Sequence, residues 1–196
     1  MEKVQIGQNF FIPMPVVLVG TQVAGKANFM TVGWCARANA NPPMIVCALG
    51  NHHYTPKGIA ETKTFSVNIP SSELLLKTDY CGIVTGEKTD KSGVFDVFYG
   101  SLKTAPMIRE CAVSLECWLV RTVPLPTNTL FIGEIAGAYA DSRVMTDGKP
   151  DFPSIDPLFL TMPDNRYWTL GKYAGDAWSA GKDLVQQPPA STKNGR

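Results

Sequence analysis

Residues 28–35, NFMTVGWC, follow the β-branched run 16–21 (VVLVGT) and the Gly-containing turn 24–26 (AGK), and they precede a second apolar run at 44–49 (MIVCAL). Two extended runs flanking a short turn predict a β-hairpin. The stretch mixes apolar residues with small hydroxyl, amide and aromatic ones. That mixture predicts a polar site built on the edge of a β-barrel.

Moving outward, the breaker 41–43 (NPP) ends the hairpin region, and 44–49 is the third strand. Thr55-Pro56 predicts a helix start, with a hydroxyl cap and proline at the first helical position, leading into KGIAETK. Residues 65–69 (FSVNI) alternate and stop at Pro70, after which Ser71-Ser72 is expected to cap a second short helix through LLLKTDYC. Residues 82–93 form a polar loop. Residues 112–120 alternate, with Val113, Leu115, Cys117 and Leu119 on one face and Ser114, Glu116, Trp118 and Val120 on the other, the pattern of a half-buried antiparallel strand. Residues 130–139 continue the β character, and Gly133 and Gly137 predict bends of the kind barrel corners require. The segment 147–163 is Pro-rich and is expected to be irregular.

Many short strands, few short helices and no regular strand-helix alternation predict a mainly β protein, an antiparallel β-barrel rather than a doubly wound sheet. The 196 residues suit one domain, assigned to 1–185, with 186–196 as a polar, disordered C-terminal tail. With 18 basic and 17 acidic residues the net charge is +1, so no global field recruits nucleic acid. Nothing reaches membrane-spanning length, and Glu2, Lys3, Pro13 and Pro15 argue against a secretory signal. Five cysteines at 35, 47, 81, 111 and 117 contain no CxxC, which predicts reduced thiols, a cytoplasmic location and no metal site.

Residues 20–27 (GTQVAGKA) approach the P-loop pattern, but Ala27 stands where magnesium needs a hydroxyl, and a hairpin turn explains the glycines. His52 and His53 are adjacent, so on extended backbone they point to opposite faces and cannot share a metal. His53 sits just before the helix start, whose free N–H groups suit an anion. Cys35 and Cys47 read as small buried core residues, and Trp34 and Trp118 as packing residues. No nucleophile elbow occurs.

In order and spacing, PMPVVLVGT, NFMTVGWC, PPMIVCAL, NHHYTPKGIAETKTFSVNIP, CGIVTGEKTDK and YWTLGKYAGDAWSAGK resemble the flavin reductase-like FMN-binding split barrels, most closely the flavoredoxin branch. The resemblance covers residues 8–182. It implies a six-stranded antiparallel Greek-key split barrel, a homodimer, and one FMN per subunit near the subunit interface. It also implies that Asn28, Thr31, Val32, Gly33, Trp34, Cys35 and Ala36 line the flavin and its ribityl chain. Asn51, His53, Tyr54 and Thr55 are then expected nearer the phosphate, with Asn68 and Lys91 closing over the cofactor.

The flavin carries the chemistry in such proteins, so no side-chain acid or base is nominated as catalytic. The function implied is electron movement from NAD(P)H or a redox partner through FMN to an acceptor. Two alternatives stand beside it, a flavin electron carrier without nicotinamide activity and a non-catalytic ligand-binding barrel.

Overall fold

The computed structural model describes residues 1–182 and 184, so the expected tail at 186–196 lies outside the described residues. Its main sheet contains β2 (Val17–Val23), β3 (Lys26–Val32), β4 (Cys35–Asn39), β5 (Met44–Gly50), β6 (Thr64–Ile69), β9 (Val113–Pro124) and β10 (Asn128–Ala140). All neighbours in it are antiparallel, in the order β3-β2-β6-β9-β10-β5-β4.

The two outer strands of that order, β3 and β4, are consecutive in the chain and separated only by Gly33 and Trp34. The quoted stretch therefore changes partners at its middle: β3 pairs with β2, and β4 pairs with β5. The Ala48 N–H donates to the Trp34 carbonyl at 2.9 Å, so pairing with β5 begins within the break. Counted as one bent strand, β3 and β4 close a six-stranded barrel, and the bend is where it splits. At the split, β3 and β4 are each paired along one side only, so each retains one unpaired edge.

The β2–β3 hairpin turns at Ala24 and Gly25, which have φ of 49° and 77°, the two-residue geometry that matches strand twist. Gly133 and Gly137 both lie at register shifts between β9 and β10, as barrel bends require. A Cβ at Gly133 would collide with the Phe65 ring, so the missing side chain lets the core close over the bulge.

Val17, Val19, Val32, Leu49, Ile59, Phe65, Val67 and Phe131, with Cys35, Cys47 and Cys117, fill the barrel interior. The opposite face of β9 departs from the half-buried expectation over its first half, where Ser114 and Glu116 are buried, while Trp118 and Val120 farther along it are exposed. The segment carrying β7 (Val97–Phe98) and β8 (Met107–Ile108) lies across it. Glu116, with no exposed surface, accepts bonds from Ser101 N, Ser101 Oγ, Leu102 N and the Tyr139 hydroxyl at 3.0, 2.7, 2.7 and 2.8 Å. Polar residues on this strand are thus satisfied by the covering loop together with Tyr139 of β10.

Helix α1 (Thr55–Thr62) and helix α2 (Leu75–Ile83) flank β3. Thr55 is the first residue of α1 rather than its cap, and Tyr54 occupies the cap position without a side-chain bond. Ser71 likewise makes no side-chain cap, and the Ser72 hydroxyl bonds Asp156 instead. A small sheet of β1 (Phe11–Pro15), β13 (Phe159–Met162) and β14 (Arg166–Trp168) packs by the Gly33 bend. The segment expected to be irregular contains β12 (Lys149–Pro150), paired with β11 (Met145–Thr146), one helical turn, α3 (Phe152–Ile155), and all of β13. Among the described residues no helix is long and apolar enough to cross a membrane.

Candidate functional site

A groove runs along β3. Its central lobe, about 280 Å³, is bounded by Met30 and Thr31, by His52 to Thr55, by the end of α2 with the following turn to Gly86, and by Lys91. A lobe of about 190 Å³ continues past Val32, Gly33 and Trp34 to Ala48 and Asn128, sharing Met30, Thr31 and His53 with the first. A third, of about 260 Å³, extends over Lys26, Ala27 and Asn28, sharing Tyr54, Gly86 and Lys91. Each lobe is smaller than the roughly 300–1,000 Å³ of a small-molecule site, whereas the joined groove reaches that range.

The polar atoms along it are unevenly satisfied. Asn28 Nδ2 donates to Thr55 Oγ1 at 2.9 Å, while Asn28 Oδ1, equally buried, has no partner. An orphaned buried acceptor costs about 1–3 kcal/mol, and here it borders the groove, where a ligand hydroxyl or N–H can satisfy it. Gly86 lies against this oxygen so closely that a Cβ would overlap it. The first turn of α1 opens nearby with no side-chain cap; Pro56 has no N–H and the Lys57 N–H bonds the Tyr54 carbonyl at 3.2 Å, so the Thr55 N–H is what this end offers an anion.

Lys91 is 3 % exposed, and its Nζ donates to the Cys81 and Val84 carbonyls at 3.3 and 3.2 Å. The ammonium thus closes the C-terminal end of α2, where positive charge is favoured, and keeps one of its three donors free. Burial lowers its pKa, opposed by Cys81. Thr31 spends its proton on the Thr78 carbonyl, which ties α2 to β3 and leaves the hydroxyl able only to accept. His53 is held below its ordinary pKa, first by burial and then by His52 and Lys91, which favours a neutral imidazole.

Of the residues nominated from sequence, Asn28, Thr31, Val32, Gly33, Trp34, His53, Tyr54, Thr55 and Lys91 line the groove. Four do not. Cys35 turns into the barrel against Cys47, and Ala36 is an exposed residue of β4. Asn51 is engaged with the Leu125 carbonyl and Thr129 Oγ1. Asn68 is fully buried between the Leu18 carbonyl, Ser66 Oγ and the Ile108 N–H, so it fastens strands together.

The opposite-face expectation for the histidines is also overturned. The Gly50–His53 turn brings their rings to 4.1 Å, and both line the groove. Met30, Gly82 and Gly86 were missed. The i+2 spacing of Met30 from Asn28 and the two glycines of CGIVTG were the signals available.

The family model for the flavin reductase like domain matches residues 9–160. The chain belongs to this family. In fold it is similar to the flavoredoxin of Methanosarcina acetivorans, at 58 % identity over 94 % of this chain and 100 % of that one, with a TM-score of 0.92. It is similar as well to the flavoredoxin of Desulfovibrio vulgaris (Miyazaki F), at 31 % identity over 93 % and 100 % of the chains and a TM-score of 0.86. An uncharacterised protein of Archaeoglobus fulgidus is 32 % identical over 72 % of this chain and 80 % of its own length.

As a member of the flavin reductase-like family, the chain is a flavin-binding oxidoreductase. The groove suits such a group in chemistry. Hydroxyl donors of a ribityl chain match the orphaned Asn28 Oδ1, and an anionic end matches the uncapped start of α1. Bound flavin supplies the two-electron chemistry, and the protein supplies binding, orientation and electrostatics.

Proposed function

We propose that this flavin reductase-like protein binds one FMN per subunit in the groove along β3 and passes electrons through it from NAD(P)H or a redox protein to an acceptor. The likeness to a protein named flavoredoxin, at 58 % identity over 94 % of the chain, carries the reading. In this assignment Asn28 and the Thr55 hydroxyl hold the ribityl chain, the Thr55 N–H at the start of α1 meets the phosphate, and Met30 to Trp34 support the ring. Neutral His53 borders the ring without a fixed acid or base, and the spare donor of Lys91, which lines the two lobes away from Trp34, serves the phosphate. A phosphate monoester carries roughly −1.5 to −2 charges near neutral pH, and backbone dipoles and Lys91 offset it despite the net charge of +1.

The same reading includes a homodimer. Phe11 stacks on Trp34 at 5.6 Å, and both remain partly exposed beside Ile12, itself 75 % exposed, next to the Gly33 end of the groove. A second subunit covering these apolar residues would close that end. Light scattering at micromolar concentration tests it.

A second reading, an electron carrier without nicotinamide activity, is favoured by the name flavoredoxin on both similar structures. An absorption spectrum of the purified protein and an FMN fluorescence titration test the cofactor. Anaerobic mixing with NADH and with NADPH then separates the readings: bleaching by either supports the reductase, and bleaching by neither leaves the carrier. Colourless protein that fails to quench added FMN overturns both.

A further inference from the structure

Cys35 on β4 and Cys47 on β5 are direct partners across the antiparallel pair, with Sγ atoms 3.3 Å apart. The Ala48 N–H bonds the Trp34 carbonyl one residue farther along. The cysteines therefore occupy the position that exchanges no backbone hydrogen bonds, where opposed Cα atoms approach to about 4.5 Å. That separation lies inside the roughly 4.4–6.8 Å span of disulfides. Closing to a bond of about 2.0 Å needs the sulfurs to approach by roughly 1.3 Å.

The surroundings single out this pair. Cys81 and Cys111 lie in a different cluster with Leu18, Phe29 and Phe95. Cys117 shares the barrel interior with the pair but sits on β9, in register with Phe65 and Ile135 rather than with either cysteine. Cys35 retains 9 % of its surface beside the partly exposed Trp34, whereas Cys47 has none. A small uncharged oxidant suits that access.

We propose that Cys35 and Cys47 are a hydroperoxide-sensitive dithiol that closes reversibly into a cross-strand disulfide. The Cys35 sulfur attacks one peroxide oxygen, the O–O bond breaks, and one water leaves as Cys35 becomes a sulfenic acid. Cys47 Sγ then attacks Cys35 Sγ, the S–O bond breaks, and the departing hydroxide takes the Cys47 proton as a second water. The dithiol loses two electrons, and the peroxide is reduced to two waters. The bond to Cys35, followed by burial, pushes the Cys47 thiol well up, so Cys35 is the attacking sulfur. A small dithiol reverses the step by exchange. Trp34 and Ala48, next in sequence to the two cysteines, line the groove, so the bond forms directly behind its wall.

The test uses the unmodified protein, without regard to its flavin content. It is exposed to hydrogen peroxide, quenched in acid, alkylated with N-ethylmaleimide in denaturant, digested and mapped by mass spectrometry. The expected result is loss of two of the five thiols, a single cross-linked peptide joining Cys35 to Cys47, and recovery of all five after dithiothreitol. Five unchanged thiols, a link through Cys81, Cys111 or Cys117, or oxidation that dithiothreitol does not reverse would overturn the proposal. In Cys117→Ala the same link is expected, and its loss counts against the pair. In Cys47→Ala, Cys35 is expected to stop at the sulfenic acid and be captured by dimedone; failure of capture in folded variant also counts against it. The mapping of the unmodified protein decides the matter should either variant fail to fold.

Discussion

Asn28 Nδ2 donates to Thr55 Oγ1 across 2.9 Å, joining β3 to the first residue of α1. This bond fixes the amide so that its oxygen is left unpaired beside the groove. A bond within the protein thereby leaves one acceptor without a partner at the groove's edge, packed against Gly86.

Asn28→Ala is expected to weaken FMN binding by about 1–3 kcal/mol, the cost of a lost partner at a buried hydrogen-bonding site. Thr55→Val should weaken it too, by freeing the amide to rotate. Fluorescence quenching of FMN measures both, with circular dichroism to establish folding. Unaltered affinity in a folded Asn28→Ala protein would place the cofactor elsewhere.

Gly86→Ala puts a methyl group where Asn28 Oδ1 now lies. Over-packing of this kind costs about 1–3 kcal/mol. The turn or the amide must move, and FMN affinity is expected to fall more than urea stability does, because Gly86 belongs to a surface turn. Equal losses in both measurements would show a purely structural role.

Glu116 gives a pH signature. Burial pushes its carboxyl up, but the donors from Leu102, Ser101 and Tyr139 outweigh burial and hold it below the ordinary value of 4.5. With a folded value below the unfolded one, its stabilising contribution is complete well above pH 4.5 and is lost as pH falls through the depressed value. Glu116→Gln turns an amide toward these donors and is expected to cost about 1–3 kcal/mol near neutrality. Urea denaturation across pH should show the gap between variant and parent narrowing in acid; a constant gap would mean the carboxyl is not ionised in the fold.

His53 has a folded pKa below its ordinary 6.5, through burial first and then its neighbours His52 and Lys91. Its contribution to stability is therefore present above pH 6.5 and declines as acid protonates the unfolded chain in preference to the folded one. Imidazole resonances followed by NMR should give a His53 midpoint under 6.5 that moves upward in His52→Ala. A midpoint at or above 6.5 in the parent protein would contradict the neutral imidazole assigned to the groove.

The hairpin, the strands at Met44 and Phe65 and the bends at Gly133 and Gly137 were legible because period-two patterning, turn residues and chain breakers act locally. Groove residues Thr31, His53 and Lys91 were named through the resemblance to the flavin reductase-like family, not from local pattern. Asn68 misled because a buried amide that laces strands and one that meets a ligand have the same letter. His52 was misplaced because opposite faces belong to extended backbone, and residues 50–53 turn.

By itself the sequence determined a mainly β fold with its hairpins, its short helices and its near-balanced charge, all properties of local pattern and composition. Tertiary structure alone decided that β3 and β4 are one strand serving two partners, that Glu116 is buried, and that Cys35 meets Cys47. Each of these depends on which distant segments pair or cover one another, and burial is a property of that pairing rather than of the residue.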